Sequence, residues 1–282
     1  MNRVYLIDKP VGISSYAVVA EVKRQLKIKQ VGHTGTLDPF ASGLLLICCG
    51  EATKIVRFLE AKTKTYLAHL RLGIRTDTAD NTGKVIEEKP IPTLENAEAV
   101  LKSFLGKSYQ VPPMYSALKV KGKKLYELAR AGKEVERKTR EITIFSIELL
   151  KKRPEEIVFK LSCSAGTYIR SLGEDIAEKL GTVGHLTELR RLKIGEFNVE
   201  EASNLEDFKK TTGLSILEAL KDLPIIELDP SLIVSAKNGR PLMLTNRGEY
   251  ALIVQVEHKE TTPIAIYQYK DGCYRCLRGF NL

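Results

Sequence analysis

The apolar positions of this chain change period several times, and each change marks an element. Val4-Tyr5-Leu6-Ile7 is a continuous apolar run that reads as a strand. Ser15 stands where a helix cap belongs, ahead of Val18, Val19, Val22 and Leu26 at helical spacing. A glycine-rich loop from Val31 to Gly43 follows and runs into the apolar stretch Leu44 to Cys49. Thr65 to Leu72 alternates as a strand does, with Tyr66, Ala68, Leu70 and Leu72 on the more apolar face. Thr93 is expected to open a helix carrying Leu94, Ala97, Leu101, Phe104 and Leu105 on one stripe and ending at Gly106. Ile142 to Leu150 and Ile157 to Cys163 read as two strands, and Ile169, Leu172, Ile176 and Leu180 as a helix closed by Gly181. Ser203-Asn-Leu-Glu206 has the capping-box pattern of one more helix.

Paired strands interrupted by single helices, without regular strand–helix alternation, favour an α+β fold with a mixed, mainly antiparallel sheet and flanking helices. Near Leu223-Pro224 the character shifts to short β-rich runs, Leu252 to Val256 and Ile264 to Tyr269, separated by turn signals at Asn238-Gly239, Arg247-Gly248 and Asp271-Gly272. The expected division is a large domain over 1–224 and a small β-rich domain over 225–282.

Charge adds a partner class. The 282 residues carry a formal +9 and a pI near 9.2, which suits a polyanion because clustered Lys and Arg displace counterions from phosphate backbones. A membrane surface is the rival. The chain has no apolar run of spanning length and no basic amphipathic helix with an aromatic face, so none is expected. With a strand read from Val4, no signal or transit peptide is expected, and the expected location is the cytosol. Five cysteines, with Cys48 and Cys49 adjacent in an apolar run, read as reduced core thiols. Cys273-Tyr-Arg-Cys276 lacks a second ligand pair, so strand or turn cysteines are expected there rather than a metal.

The densest candidate chemistry is Gly32-His33-Thr34-Gly35-Thr36-Leu37-Asp38-Pro39-Phe40-Ala41-Ser42-Gly43, at the edge of an apolar strand, where sites are usually built. Its glycines allow close backbone approach, but the Gly-Lys-Ser/Thr ending of a P-loop is absent. Read alone, Asp38 before Pro39 is better taken as a turn-initiating aspartate than as a site residue. A second feature is basic: Lys119, Lys121, Lys123, Lys124, Arg130, Lys133, Arg137, Lys138 and Arg140, with Tyr115 and Tyr126 interleaved. Its glycines and the preceding proline turn suit a mobile RNA clamp better than a plain solvated face.

Four segments in order resemble the motifs of the tRNA pseudouridine-55 synthase family, TruB. They are Asp8-Lys9-Pro10-Val11-Gly12-Ile13-Ser14-Ser15, then Gly32 to Pro39, then Arg75-Thr76-Asp77-Thr78-Ala79-Asp80, then Gly166-Thr167-Tyr168-Ile169-Arg170. The tail resembles a short, divergent PUA domain. The resemblance implies the pseudouridine synthase fold and isomerisation of uridine 55 in the T loop by base flipping, without metal, nucleotide or redox cofactor. The implied partner is tRNA, engaged through its T arm by a monomer with no obligatory protein partner.

Residue by residue, the resemblance makes Asp38 the catalytic carboxylate, Arg170 its partner and Tyr66 the ring that stacks on uracil. A cation near the start of a helix opposes the helix dipole, so Arg170 is expected to have an anionic partner. His33 matches a histidine that holds the opened RNA loop, and Tyr168 belongs to the same arginine motif. Leu189 matches an apolar residue packing on the base, with Arg190 and Arg191 expected to be available to phosphates. Lys9 and Asp80 are expected around the site for packing and loop geometry, and Lys119, Lys121 and Lys123 to contact RNA. A guide-RNA-dependent relative would carry a fuller tail. A protein that only binds RNA would need none of Asp38, Tyr66 and Arg170.

Overall fold

A computed structural model describes residues 2–116, 118–120, 122–125, 128, 132 and 135–282, with backbone alone at Lys119, Val120, Lys123 and Lys124. The first strand, β1 (Arg3–Lys9), leads through helix α1 (Ser15–Leu26) to β2 (Val31–His33) and β3 (Ser42–Cys49). A 3-10 turn over Gly50–Ile55 and the short helix α2 (Val56–Glu60) lead to β4 (Lys64–Leu72). Next come β5 (Ile74–Thr76), β6 (Val85–Glu88), α3 (Ala97–Lys102), β7 (Gly106–Gln110) and the two-residue strands β8 (Lys119–Val120) and β9 (Lys123–Lys124). The long hairpin β10 (Arg140–Arg153) and β11 (Glu156–Cys163) precedes α4 (Ile169–Lys179) and β12 (Gly184–Ile194). Two short strands, β13 (Phe197–Asn198) and β14 (Ser203–Asn204), end this part, followed by the one-turn helix α5 (Ile216–Ala219).

The large sheet runs β14-β1-β3-β12-β4-β11-β10-β7, with β2 on β3 and β13 on β12. Its pairings are antiparallel except β1 with β14 and β3 with β12. The fold is α+β, with a mixed, mainly antiparallel sheet.

The burial of each strand follows its sequence period. Leu44 to Cys49 is apolar throughout because both its faces are covered. Leu45, Ile47 and Cys49 pack with Val18, Val19 and Val22 of α1, while Leu44, Leu46 and Cys48 pack with Ile216, Leu252 and Ile266. β4 alternates because one face is dry. Its Tyr66, Ala68, Leu70 and Leu72 pack with Ile169, Leu172 and Ile176 of α4. Gly181, at φ +89°, turns the chain out of that helix.

A second sheet of β15 (Ile225–Glu227), β16 (Tyr250–Glu257), β17 (Glu260–Lys270) and β18 (Cys273–Gly279) is accompanied by α6 (Pro230–Lys237). Cys273 and Cys276 lie on β18, all five cysteines are free thiols, and no metal-binding cluster occurs among the described residues. Among the described residues no helix is long and apolar enough to cross a membrane.

Three local expectations need correction. Ser14, not Ser15, caps α1, because its side chain accepts from Ala17 N; Ser15 is turned inward. The helix expected from Thr93 begins only at Ala97, since Ala97 N closes a tight turn on Leu94 O, and Leu105 is left 47% exposed. Ser203 and Asn204 pair as a strand with Ile7 and Asp8, so no helix is capped there. The boxes that form are Asn198–Glu201 and Ser215–Glu218.

Candidate active site

The loop between β2 and β3 is held from three sides. Ser15 Oγ accepts from Leu37 N at 2.8 Å and bonds Leu37 O at 3.0 Å. Gly12 N donates to Pro39 O at 2.7 Å, which ties the loop to the β1–α1 turn. From β12, the Arg191 guanidinium donates to Leu44 O at 2.7 Å and to Gly35 O at 3.1 Å. Gly43, at φ +104°, is what allows β12 to come this close, because a Cβ there would lie 2.3 Å from Arg191 O.

Asp38 is thereby presented to α4. Arg170, the second residue of that helix and 4% exposed, brings Nε to 2.8 Å from Asp38 Oδ2. The rest of its guanidinium is fixed by Thr78 O at 2.9 Å and Tyr115 O at 2.7 Å, with Asp80 Oδ2 at 3.7 Å. Asp80 is held in turn by the Thr78 and Thr82 hydroxyls and Thr82 N. The cation at a helix start thus has its anionic compensation.

The pair stands in a cavity of about 330 Å³ whose lining includes Tyr66, Tyr168 and Leu189. The Tyr168 backbone is clamped by Gln110, whose amide accepts from Tyr168 N and donates to Tyr168 O. Arg140 lies 5.9 Å from the Tyr168 ring at the same wall. Burial pushes the Asp38 carboxyl above the usual carboxylate range; Arg170 pulls it down, and Asp80 adds to the rise. The carboxylate is still 32% exposed, because it faces the cavity. The Tyr66 phenol is raised by burial, with Arg191 opposing.

Not every expected residue reaches the cavity. Lys9 is fully buried, donating to Pro10 O and Ile13 O, and burial lowers its pKa to about 8 with Asp38 opposing. Like Asp80, it stands behind the wall. His33 ends β2 and accepts from Gly35 N through Nδ1 at 3.3 Å; burial lowers its pKa. Lys121, Tyr126, Arg130 and Lys133 lie outside the described residues, as do the side chains of Lys119, Lys123 and Lys124.

The arginines after Leu189 depart from expectation. Arg190 forks onto Asp8, at 2.6 and 3.0 Å, and Arg191 is 1% exposed and bonded to the loop, so Arg191 is not available to phosphates. Strand alternation contains the signal: Arg191 shares the inward face with Leu189, two residues earlier.

A buried arginine on a helix paired with an aspartate on a facing loop, in a cavity beside two tyrosines, defines a catalytic rather than a purely structural cleft. The comparisons give the class. Residues 23–169 match the model of the TruB family pseudouridylate synthase N-terminal domain, and 170–222 that of the tRNA pseudouridylate synthase B C-terminal domain. The chain is 46% identical over 245 residues to tRNA pseudouridine synthase B of Clostridium tetani, covering 85% of each. It is 44% identical over 290 residues to that of Burkholderia pseudomallei, covering 99% of this chain and 94% of the relative. A chain from an H/ACA ribonucleoprotein bound to a substrate RNA containing 2′-deoxyuridine superposes with TM-score 0.73 at 23% identity, covering 99% of this chain and 85% of that one, a likeness of fold. This chain belongs to the TruB family of pseudouridylate synthases.

Proposed function

We propose that the protein isomerises uridine 55 of tRNA to pseudouridine, after the T loop opens and the nucleotide is flipped into the cavity. The observation that carries this reading is the Asp38–Arg170 pair, 2.8 Å apart where the cavity walls meet. A base must leave the helical stack before an enzyme reaches its glycosidic bond. Asp38 then acts on the nucleoside, as carboxylates do where glycosidic bonds break. Arg170 holds the carboxylate and favours its anionic form. Tyr66 and Leu189 sandwich the ring, and Tyr66 receives the proton that leaves carbon 5.

His33, beside the loop that carries Asp38, supports the opened RNA loop. The basic stretch from Lys119 to Arg140 clamps the T arm. The segment 225–282 is read as a short PUA-like domain, and its exposed Lys237, Arg240 and Arg247 suit RNA phosphates. The reaction is an isomerisation with no net redox change, carried out by a monomer in the cytosol.

Asp38→Asn tests this directly, because it keeps size and removes the charge. Transfer RNA tritiated at carbon 5 of uridine must lose tritium to water when that carbon bonds ribose. Wild type should release it from one site per tRNA in the presence of a chelator, while the variant retains the tRNA and releases none. Comparable release by the variant would make Asp38 a turn residue.

A further inference from the structure

Two buried cations in the cavity lining have no part in the reaction as described. Lys64, the first residue of β4, is 5% exposed and donates through Nζ to the carbonyls of Glu60 and Lys62. Arg191 stands opposite Tyr66 on β12 and donates to the carbonyls of Leu44 and Gly35. Both line the cavity that holds Asp38. Among the described residues neither has a carboxylate oxygen within 4.0 Å, whereas Arg170 has Asp38 and Asp80.

Burying a charge without a counter-ion costs several kcal/mol. Within the lining, the carboxylates of Asp38 and Glu60 stand against four cations, Lys64, Arg140, Arg170 and Arg191, so positive charge is in excess, and the hydrogen bonds of Lys64 and Arg191 to neutral carbonyls do not cancel theirs. Such unbalanced charge, held in place by the backbone carbonyls, stabilises negative charge that develops there, because the groups are already oriented.

The following rests on the reading that this chain isomerises uridine. We propose that Lys64 and Arg191 form an anion site for the reacting base, binding the uracil ring while it is detached and negatively charged. When the N1–C1′ bond breaks, the bonding pair leaves with the base, and the charge spreads over N1 and both carbonyl oxygens. The ribose is left either bonded to Asp38 through C1′ or as an enol ether whose 2′ proton has passed to Asp38. After the ring turns, a ring electron pair forms the C5–C1′ bond; in the covalent route the bond from C1′ to the Asp38 oxygen breaks as it forms, and its electron pair returns to the carboxylate. N1 regains a proton, the proton on C5 is lost, and in the enol-ether route C2′ also regains the one held by Asp38, so no external reductant or oxidant is needed. The two cations hold the intermediate between cleavage and rejoining, which also keeps free uracil from escaping.

The Lys64 ammonium carries its own readout. Burial lowers its pKa to about 8; Arg191 on β12 adds to the fall, while Glu60 on α2 and Cys163 on β11 oppose it. The site is charged below about pH 8 and loses Lys64's charge as pH rises through that value. Lys9 titrates in the same range, behind Asp38, and must be told apart.

The experiment is single-turnover tritium release from carbon-5-labelled tRNA at saturating protein, followed against pH for wild type, Lys64→Arg, Lys64→Met and Lys9→Arg. Wild type should lose rate above about pH 8. Lys64→Arg, always charged, should keep activity and move that fall to higher pH. Lys64→Met should lose about 100-fold in rate at neutral pH, with tRNA affinity within about threefold and the alkaline fall gone. An alkaline limb unmoved in Lys64→Arg overturns the proposal, as does a limb moved by Lys9→Arg alone. If Lys64→Met does not fold, the Lys64→Arg limb decides. A wild type that releases no tritium overturns the reading of the reaction and this site with it.

Discussion

Replacing Arg170 with Met separates charge from shape at the centre of the site. The substitution keeps a flexible stem and removes a guanidinium that meets Asp38 at 2.8 Å, Asp80 at 3.7 Å and two carbonyls. Two unit charges 2.8 Å apart interact by about 6 kcal/mol at an effective dielectric constant near 20, which is a ceiling. Asp38 is 32% exposed to the cavity, so screening roughly halves that to about 3 kcal/mol, or about 100-fold in rate. The fold loses about 3–5 kcal/mol as well, because Asp80 and two carbonyls are left without their cation. Burial already raises the Asp38 carboxyl, and removing Arg170 raises it further. The acid limb of the rate therefore moves to higher pH in Arg170→Met, and part of the lost turnover returns as pH rises. Single-turnover tritium release from about pH 5 to about pH 9, beside a filter-binding measurement of tRNA affinity, reads both effects. An acid limb at the wild-type position would refute the electrostatic account. Collapsed affinity with normal turnover of bound tRNA would make Arg170 a phosphate ligand.

Two further substitutions test the scaffold and the clamp. Gly43→Ala should lose about 3 kcal/mol or more in urea denaturation, because its Cβ meets the Arg191 backbone at 2.3–2.7 Å and must part β3 from β12. Gly12→Ala, at φ +91° with nothing within 4 Å, should lose only about 1 kcal/mol, and equal losses would refute the close-approach argument. Changing Lys119, Lys121, Lys123 and Lys124 together to Ala should flatten the salt dependence of tRNA binding by about 0.7–0.9 in log–log slope per lost contact, and an unchanged slope would sink the clamp.

Much of the fold was legible because local period and tertiary burial agree. The alternation of Tyr66, Ala68, Leu70 and Leu72 is the dry face of β4, and the unbroken run Leu44 to Cys49 is a strand covered on both sides. The failures fall where local patterns compete with partners distant in sequence. Ser203 and Asn204 have the residues for a cap but give their backbone to β1. Ser15 has the hydroxyl for a cap but gives it to Leu37, 22 residues away, which is what fixes the loop that carries Asp38. At Ser15 the long-range hydrogen bonds outweigh the local cap because they are buried, where an unmade bond costs most.

The site divides along the same line. Asp38, Tyr66, Tyr168, Arg170 and Leu189 were named from motifs, and the structure brings all five to one cavity. Lys64 was not legible as a cavity residue and Arg191 was read as a phosphate ligand, since a basic residue near a strand end looks the same in sequence whether it faces water or the interior until its strand parity is followed. What distinguishes them is register: Arg191 lies directly across from Tyr66, and Lys64 across from Cys163 and Ile194. Those pairings place Arg191 beside Tyr66 and bring both cations into the lining of the cavity that holds Asp38. Sequence motifs thus identify the groups that gather at the cavity, whereas the charges that surround them are set by strand pairing. A sharper reading of such a chain follows strand parity outward from each motif residue, and asks which charged side chain falls on the same inward face.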